Sequence, residues 1–105
     1  DTPSSRGLGD VYKRQIDLAA RKATHNKIEL ELTRQEFDLL SYLLENSGNV
    51  LTKKELLEEI WDILQPTEED VNKVEVYIGY LRKKLKPFNL DVYINTVRGF
   101  GYRWN

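Results

Sequence analysis

The chain of 105 residues has no cysteine and a single histidine. Without thiols it can form neither a disulfide nor a thiolate metal site, which fits a reducing cytoplasm. With His25 as the only imidazole, and that in an expected turn, no Ser–His–acid or Cys–His catalytic set can be assembled. A metal site would have to be built mostly from Asp and Glu, and the spacing of a calcium loop does not occur. No glycine-rich loop opens a helix, because Gly99 and Gly101 bracket a turn. Neither an enzyme nor a bound cofactor is expected. No apolar run approaches the ~20 residues of a membrane span, and no secretory hydrophobic segment is visible. What remains is a chain with a hydrophobic fraction of 40%, enough for one compact core.

The net charge of −1 hides a strong asymmetry. Residues 1–27 carry six Lys/Arg and three Asp/Glu, residues 28–71 carry three and twelve, and residues 72–105 carry seven and two. An acidic middle therefore precedes a basic end, and the basic end could face phosphates while the acidic part faces elsewhere. The sequence pI near 5.9 is low for a nucleic-acid binder, so charge alone also allows an ordinary solvated surface.

Residues 1–15 are rich in Ser, Gly and Pro and show no periodicity. Their GLGDVYKRQ string resembles adaptor-derived sequence, and the segment is set aside as a non-native or disordered leader ahead of a domain at 16–105. Residues 16–32 predict two or three short strands: Ile28, Leu30 and Leu32 alternate with Glu29 and Glu31, after a turn at His25-Asn26-Lys27. Thr33 with Glu36 and Thr52 with Glu55 have the spacing of capping boxes, and Thr67 with Asp70 is a weaker version. They predict helices over about 34–46, 53–63 and 69–86. The first buries Phe37, Leu40, Leu43 and Leu44 and stops near Gly48. The second buries Leu56, Leu57 and Ile60. The third carries a core stripe of Val71, Val74, Ile78, Leu81 and Leu85 and ends at Pro87. Val50 and Leu51 can add a short strand, and residues 92–97 and 101–104 pair as a hairpin across Arg98-Gly99-Phe100-Gly101.

Opposite its core stripe the third helix presents Lys73, Val76, Tyr77, Tyr80, Lys83 and Lys84, with Arg82 and Lys86 at the flanks. Five cations against one acid between Asn72 and Lys86 can neutralise phosphates and release counterions. Val76 and the tyrosines can touch thymine methyls in a major groove, and Asn72 can read an adenine edge. The plain alternative, lysines complementing the helix dipole, accounts for Lys83, Lys84 and Lys86 but not for two tyrosines and a valine on the same face. Arg98, at the tip of a narrow turn, is shaped for a minor groove, although such arginines are usually just solvated. Trp61, at the end of the second helix, is more often core than functional, yet its N–H can donate to a phosphate.

From about Asp17 to Trp104 the chain resembles the winged-helix effector domain of OmpR/PhoB-type response regulators. The resemblance rests on LTRQEFDLLSYLLENSGNVLTKKELLEEIW, VNKVEVYIGYLRKKL and INTVRGFGYRW. It implies an α+β winged helix-turn-helix fold: an N-terminal antiparallel sheet, three helices, and a C-terminal β-hairpin wing. It further implies sequence-specific binding of double-stranded DNA, with the third helix in the major groove and Arg98 of the wing in the minor groove. Base-proximal roles would fall on Asn72, Lys73, Val76, Tyr77 and Tyr80, and phosphate roles on Trp61, Arg82, Lys83, Thr96 and Tyr102. Regulators of this type carry an upstream receiver phosphorylated by a sensor kinase and bind direct repeats as head-to-tail dimers. In activators the segment matching Asp62 to Asp70 meets RNA polymerase. Several members have arginines where this chain has Gly79 and Tyr80, which implies a weaker or more hydrophobic readout here. The acidic middle and the tyrosines keep a second reading open, a winged-helix module that binds a protein partner instead of DNA.

Overall fold

The computed structural model describes residues 16–105, so the leader expected over 1–15 lies outside the described residues. Strands β1 (Asp17–Ala19), β2 (Lys22–His25) and β3 (Ile28–Leu30) form an antiparallel meander. Both connections are two-residue turns with positive φ, at Ala20 and Arg21 and at Asn26 and Lys27, a geometry that matches the twist of the flanking strands. Ala23 pairs with Leu30, and both are buried. Ile28, expected on the same buried face, is 56% exposed. It pairs with His25 beside the turn, so the buried stretch of this strand begins only at Leu30.

Helices α1 (Arg34–Glu45), α2 (Lys53–Trp61) and α3 (Glu68–Leu85) follow. Thr33 and Glu36 form the expected reciprocal cap, and so do Thr67 and Asp70. At α2 only half the box forms. Thr52 Oγ1 accepts from the Glu55 amide at 3.0 Å, but the Glu55 carboxylate accepts from the Tyr42 hydroxyl at 2.9 Å instead of reaching back. Helix α2 ends two residues before the expected Ile63, because Asp62 turns left-handed (φ 58°) and the Ile63 amide donates to the Leu57 carbonyl at 3.0 Å. Helix α3 passes at its end into a 3-10 turn over Lys86–Phe88, so Pro87 tightens the chain rather than stopping it outright.

The core lies where the three helices meet: Leu39, Leu40, Leu43 and Leu44 of α1, Leu56 and Leu57 of α2, and Val74, Ile78, Leu81 and Leu85 of α3. Burying each such side chain is worth about 1.5–3 kcal/mol. Phe37, Ile60 and Val71, expected inside, are only partly buried against this cluster.

A second sheet closes the domain. Strands β4 (Leu51–Thr52), β5 (Ile94–Val97) and β6 (Gly101–Trp104) lie in the order β4-β6-β5, all antiparallel. The hairpin starts at Ile94 rather than residue 92, since Asp91–Tyr93 is a 3-10 turn, and Val50 lies outside its strand. Gly101 is dictated by the third strand: a Cβ there would overlap the Leu51 carbonyl and come within 2.9 Å of the Thr52 Cα. Pairing of Thr52 with Gly101 brings the start of α2 against the turn end of the hairpin.

Candidate nucleic-acid interface

Down the outer line of α3 run Asn72, Val76, Gly79 and Lys83, spaced i, i+4, i+7, i+11 and all exposed. Tyr80 beside them is 49% exposed and Val76 47%. Between this helix and the hairpin lies a groove of about 670 Å³, lined by Lys53, Lys54 and Arg98, by Arg82 and Glu75 of α3, and by the polar and wing residues between them. Four cations thus face one acid. Lys53 Nζ lies 2.6 Å from Glu75 Oε2, and that hydrogen bond holds the ammonium's pKa above its ordinary value, partly offset by burial. Burial raises the pKa of the Tyr102 phenol in the same groove, while Lys53 and Arg82 pull it the other way.

The consecutive cations Arg82, Lys83 and Lys84 diverge. Arg82 Nη2 donates to the Ile94 carbonyl at 3.0 Å and to Thr96 Oγ1 at 2.9 Å, with the guanidinium 5.9 Å from the centre of the Tyr102 ring. It ties α3 to the wing strand β5. Lys83 is exposed. Lys84, expected on the outer face with it, turns instead toward the N-terminal sheet and α1, where Nζ donates to the Glu31 carbonyl at 2.7 Å and to Glu36 Oε1 at 3.0 Å. Residues two apart on a helix lie about 200° apart, so one face cannot hold all three.

Tyr77, expected outside, is half-buried between Trp61 at 5.2 Å and Tyr80 at 5.4 Å. Lys73 lies over the Trp61 ring at 5.5 Å. The Trp61 Nε1 is buried, so the N–H expected to reach a phosphate points inward. Thr96 is exposed on the wing, and Tyr102, expected at the surface, is 5% exposed because it sits on the central strand. The structure therefore brings Arg82, Thr96, Arg98 and Tyr102 to the groove and Asn72, Val76, Tyr80 and Lys83 to the helix surface beside it. Trp61, Tyr77 and Tyr80 form an aromatic flank, capped by the Lys73 ammonium over the Trp61 ring. Lys53, Lys54, Glu75 and Phe100 also line the groove, although sequence reasoning assigned them no role. Adjacent lysines directly after an N-cap were the available signal, but their place beside the wing depends on a two-residue strand. Among the described residues, no group of His, Cys, Asp or Glu is arranged to hold a metal ion.

A three-helix domain with an exposed third helix flanked by a β-hairpin is a winged helix. The chain belongs to the family described as transcriptional regulatory protein, C terminal, whose model matches residues 27–104. It is 46% identical over 93 residues to response regulator ArlR of Staphylococcus aureus, covering 89% of this chain and 42% of that protein. Among solved structures it is similar to the C-terminal domain of the lantibiotic response regulator NsrR, with 34% identity, coverage of 86% of this chain and 90% of that one, and a TM-score of 0.70. It is also similar to the RstA DNA-binding domain of Klebsiella pneumoniae in complex with the RstA box, with 26% identity, 86% and 90% coverage, and a TM-score of 0.74.

Proposed function

We propose that this chain binds double-stranded DNA as the effector domain of a two-component transcriptional regulator. Helix α3 enters the major groove, Arg98 enters the minor groove, and the phosphate strand between the two lies in the groove lined by Lys53, Lys54, Arg82 and Arg98. That cationic groove between helix and wing is the observation that carries the reading. The DNA-bound RstA domain, of the same fold, supports it. Asn72, Val76 and Tyr80 make the major-groove contacts and Lys83 reaches a phosphate, with Tyr77 and Trp61 as aromatic support and Lys73 over the Trp61 ring. Arg82 and Thr96 brace the wing and face the phosphates, with the buried Tyr102 ring beside the Arg82 guanidinium. Binding needs no cofactor.

The finer partners follow from the same reading. Two copies bind direct repeats head to tail, and the segment Asp62–Asp70, with Leu64 61% exposed near its centre, is the contact for RNA polymerase. An upstream receiver would control both. No helix among the described residues is long and apolar enough to cross a membrane, which suits action on cytoplasmic DNA.

Titration with mixed-sequence duplex over a range of salt tests the reading. Replacing Arg98 and Lys83 together with alanine weakens binding across sequences and flattens the salt slope by about one unit per lost phosphate contact. An unchanged slope removes those residues from the interface. Absence of any association at low salt points instead to a winged helix that binds protein.

A further inference from the structure

Phe100 is the most exposed large hydrophobic side chain among the described residues, at 69%. The fold does not require it. It takes no part in the core or in the residues packed against the core. Its turn is held by its backbone, whose amide donates to the Val97 carbonyl at 2.9 Å, a bond any residue but proline could make. It stands between Gly99 and Gly101, so it is the only side chain of the tip apart from Arg98. Both line the same groove. The tip is therefore narrow, with one cationic and one flat apolar group projecting from it.

We propose that Phe100 is a second DNA contact of the wing, its ring packed on the deoxyribose C–H surface at the minor-groove edge while the neighbouring Arg98 enters the groove. The proposal rests on the reading of the wing given above. The chemistry is complementary: minor-groove walls are sugar edges, apolar side chains pack well there, and a groove ~6 Å wide admits only a thin tip. A lone arginine would supply an attraction that salt screens. The adjacent ring adds a term from area removed from water, which salt does not screen. Together with Val76 and Tyr80, exposed on α3, this gives the interface an apolar component that offsets its modest count of cations.

The full chain and three variants, Phe100→Ala, Phe100→Leu and Arg98→Ala, are titrated by fluorescence anisotropy against an A·T-rich duplex at several salt concentrations. Thermal melting checks that each variant is folded. Phe100→Ala weakens binding about tenfold at every salt concentration and leaves the slope unchanged, because it removes apolar area and no charge. Phe100→Leu stays within about threefold of the parent. Arg98→Ala flattens the slope by about one unit. If Phe100→Ala binds as tightly as the parent, or loses affinity only by flattening the slope, the Phe100 contact is overturned. When Arg98→Ala still flattens the slope in that case, the wing reading survives. If neither variant changes binding, the wing reading fails as well.

Discussion

Single residues in this domain are defined as much by what they touch as by their type. Glu55 was expected to close a capping box, yet its carboxylate goes to the Tyr42 hydroxyl at 2.9 Å. Burial first, then this hydrogen bond and the charges of Glu55, Glu59 and Glu45, push the Tyr42 phenol from 10.0 up to about 12. The neutral phenol is thus favoured in the folded state. Its contribution to stability is present in full below pH 10 and is lost as pH rises from 10 to 12. Chemical denaturation across that window should show the parent losing stability more steeply than Tyr42→Phe. Equal slopes would mean that Tyr42 titrates as in the unfolded chain. Gly79 is a second case. It sits in mid-helix with open space where a Cβ would be, so nothing in the free domain requires glycine there. Gly79→Ala should stabilise the domain by about 1 kcal/mol, read as a raised denaturant midpoint with an unchanged m-value.

At the scale of elements, the caps, stops and core stripes were legible in the sequence because each depends on a few neighbours in the chain. The stripe Val74, Ile78, Leu81 and Leu85 is buried as its spacing required. Pairings between elements far apart in the chain were not legible. The run Arg82-Lys83-Lys84 reads as one basic patch, but one member braces the wing and another reaches the buried Glu36. Lys84→Met should leave the Glu36 carboxylate, only 5% exposed, without its counter-charge. Lys84 is itself 40% exposed, which moderates the loss to about 1–2 kcal/mol in urea unfolding. The salt slope of DNA binding by this variant should match the parent, whereas Lys83→Ala should flatten it. A flattened slope for Lys84→Met would place its ammonium on the DNA.

Over the described molecule, four cations gather around Glu75 in the wing groove, while exposed acids lie further along α2. Glu58 and Glu59 are exposed on α2, and Glu59 lines a separate hollow between α1 and the first hairpin. At low ionic strength these acids oppose the approach of DNA from a distance. At ~0.15 M salt the Debye length is about 8 Å and their influence is screened. Neutralising both, as Glu58→Gln with Glu59→Gln, should raise the association rate at low salt in stopped-flow measurements and leave it unchanged near 0.15 M. A gain that persists at the higher salt would place these carboxylates at the interface itself. The sequence by itself determined the helices, their core faces, the hairpin and the polarity of the charge, because these follow from periodicity, capping and turn chemistry within short stretches. Only the tertiary structure decided that Lys53 and Lys54 stand beside the wing, that Lys84 turns from it, and that Gly101 must lack a side chain. Those outcomes depend on a two-residue strand and a buried carboxylate meeting partners dozens of residues away, and local pattern carries no information about such meetings.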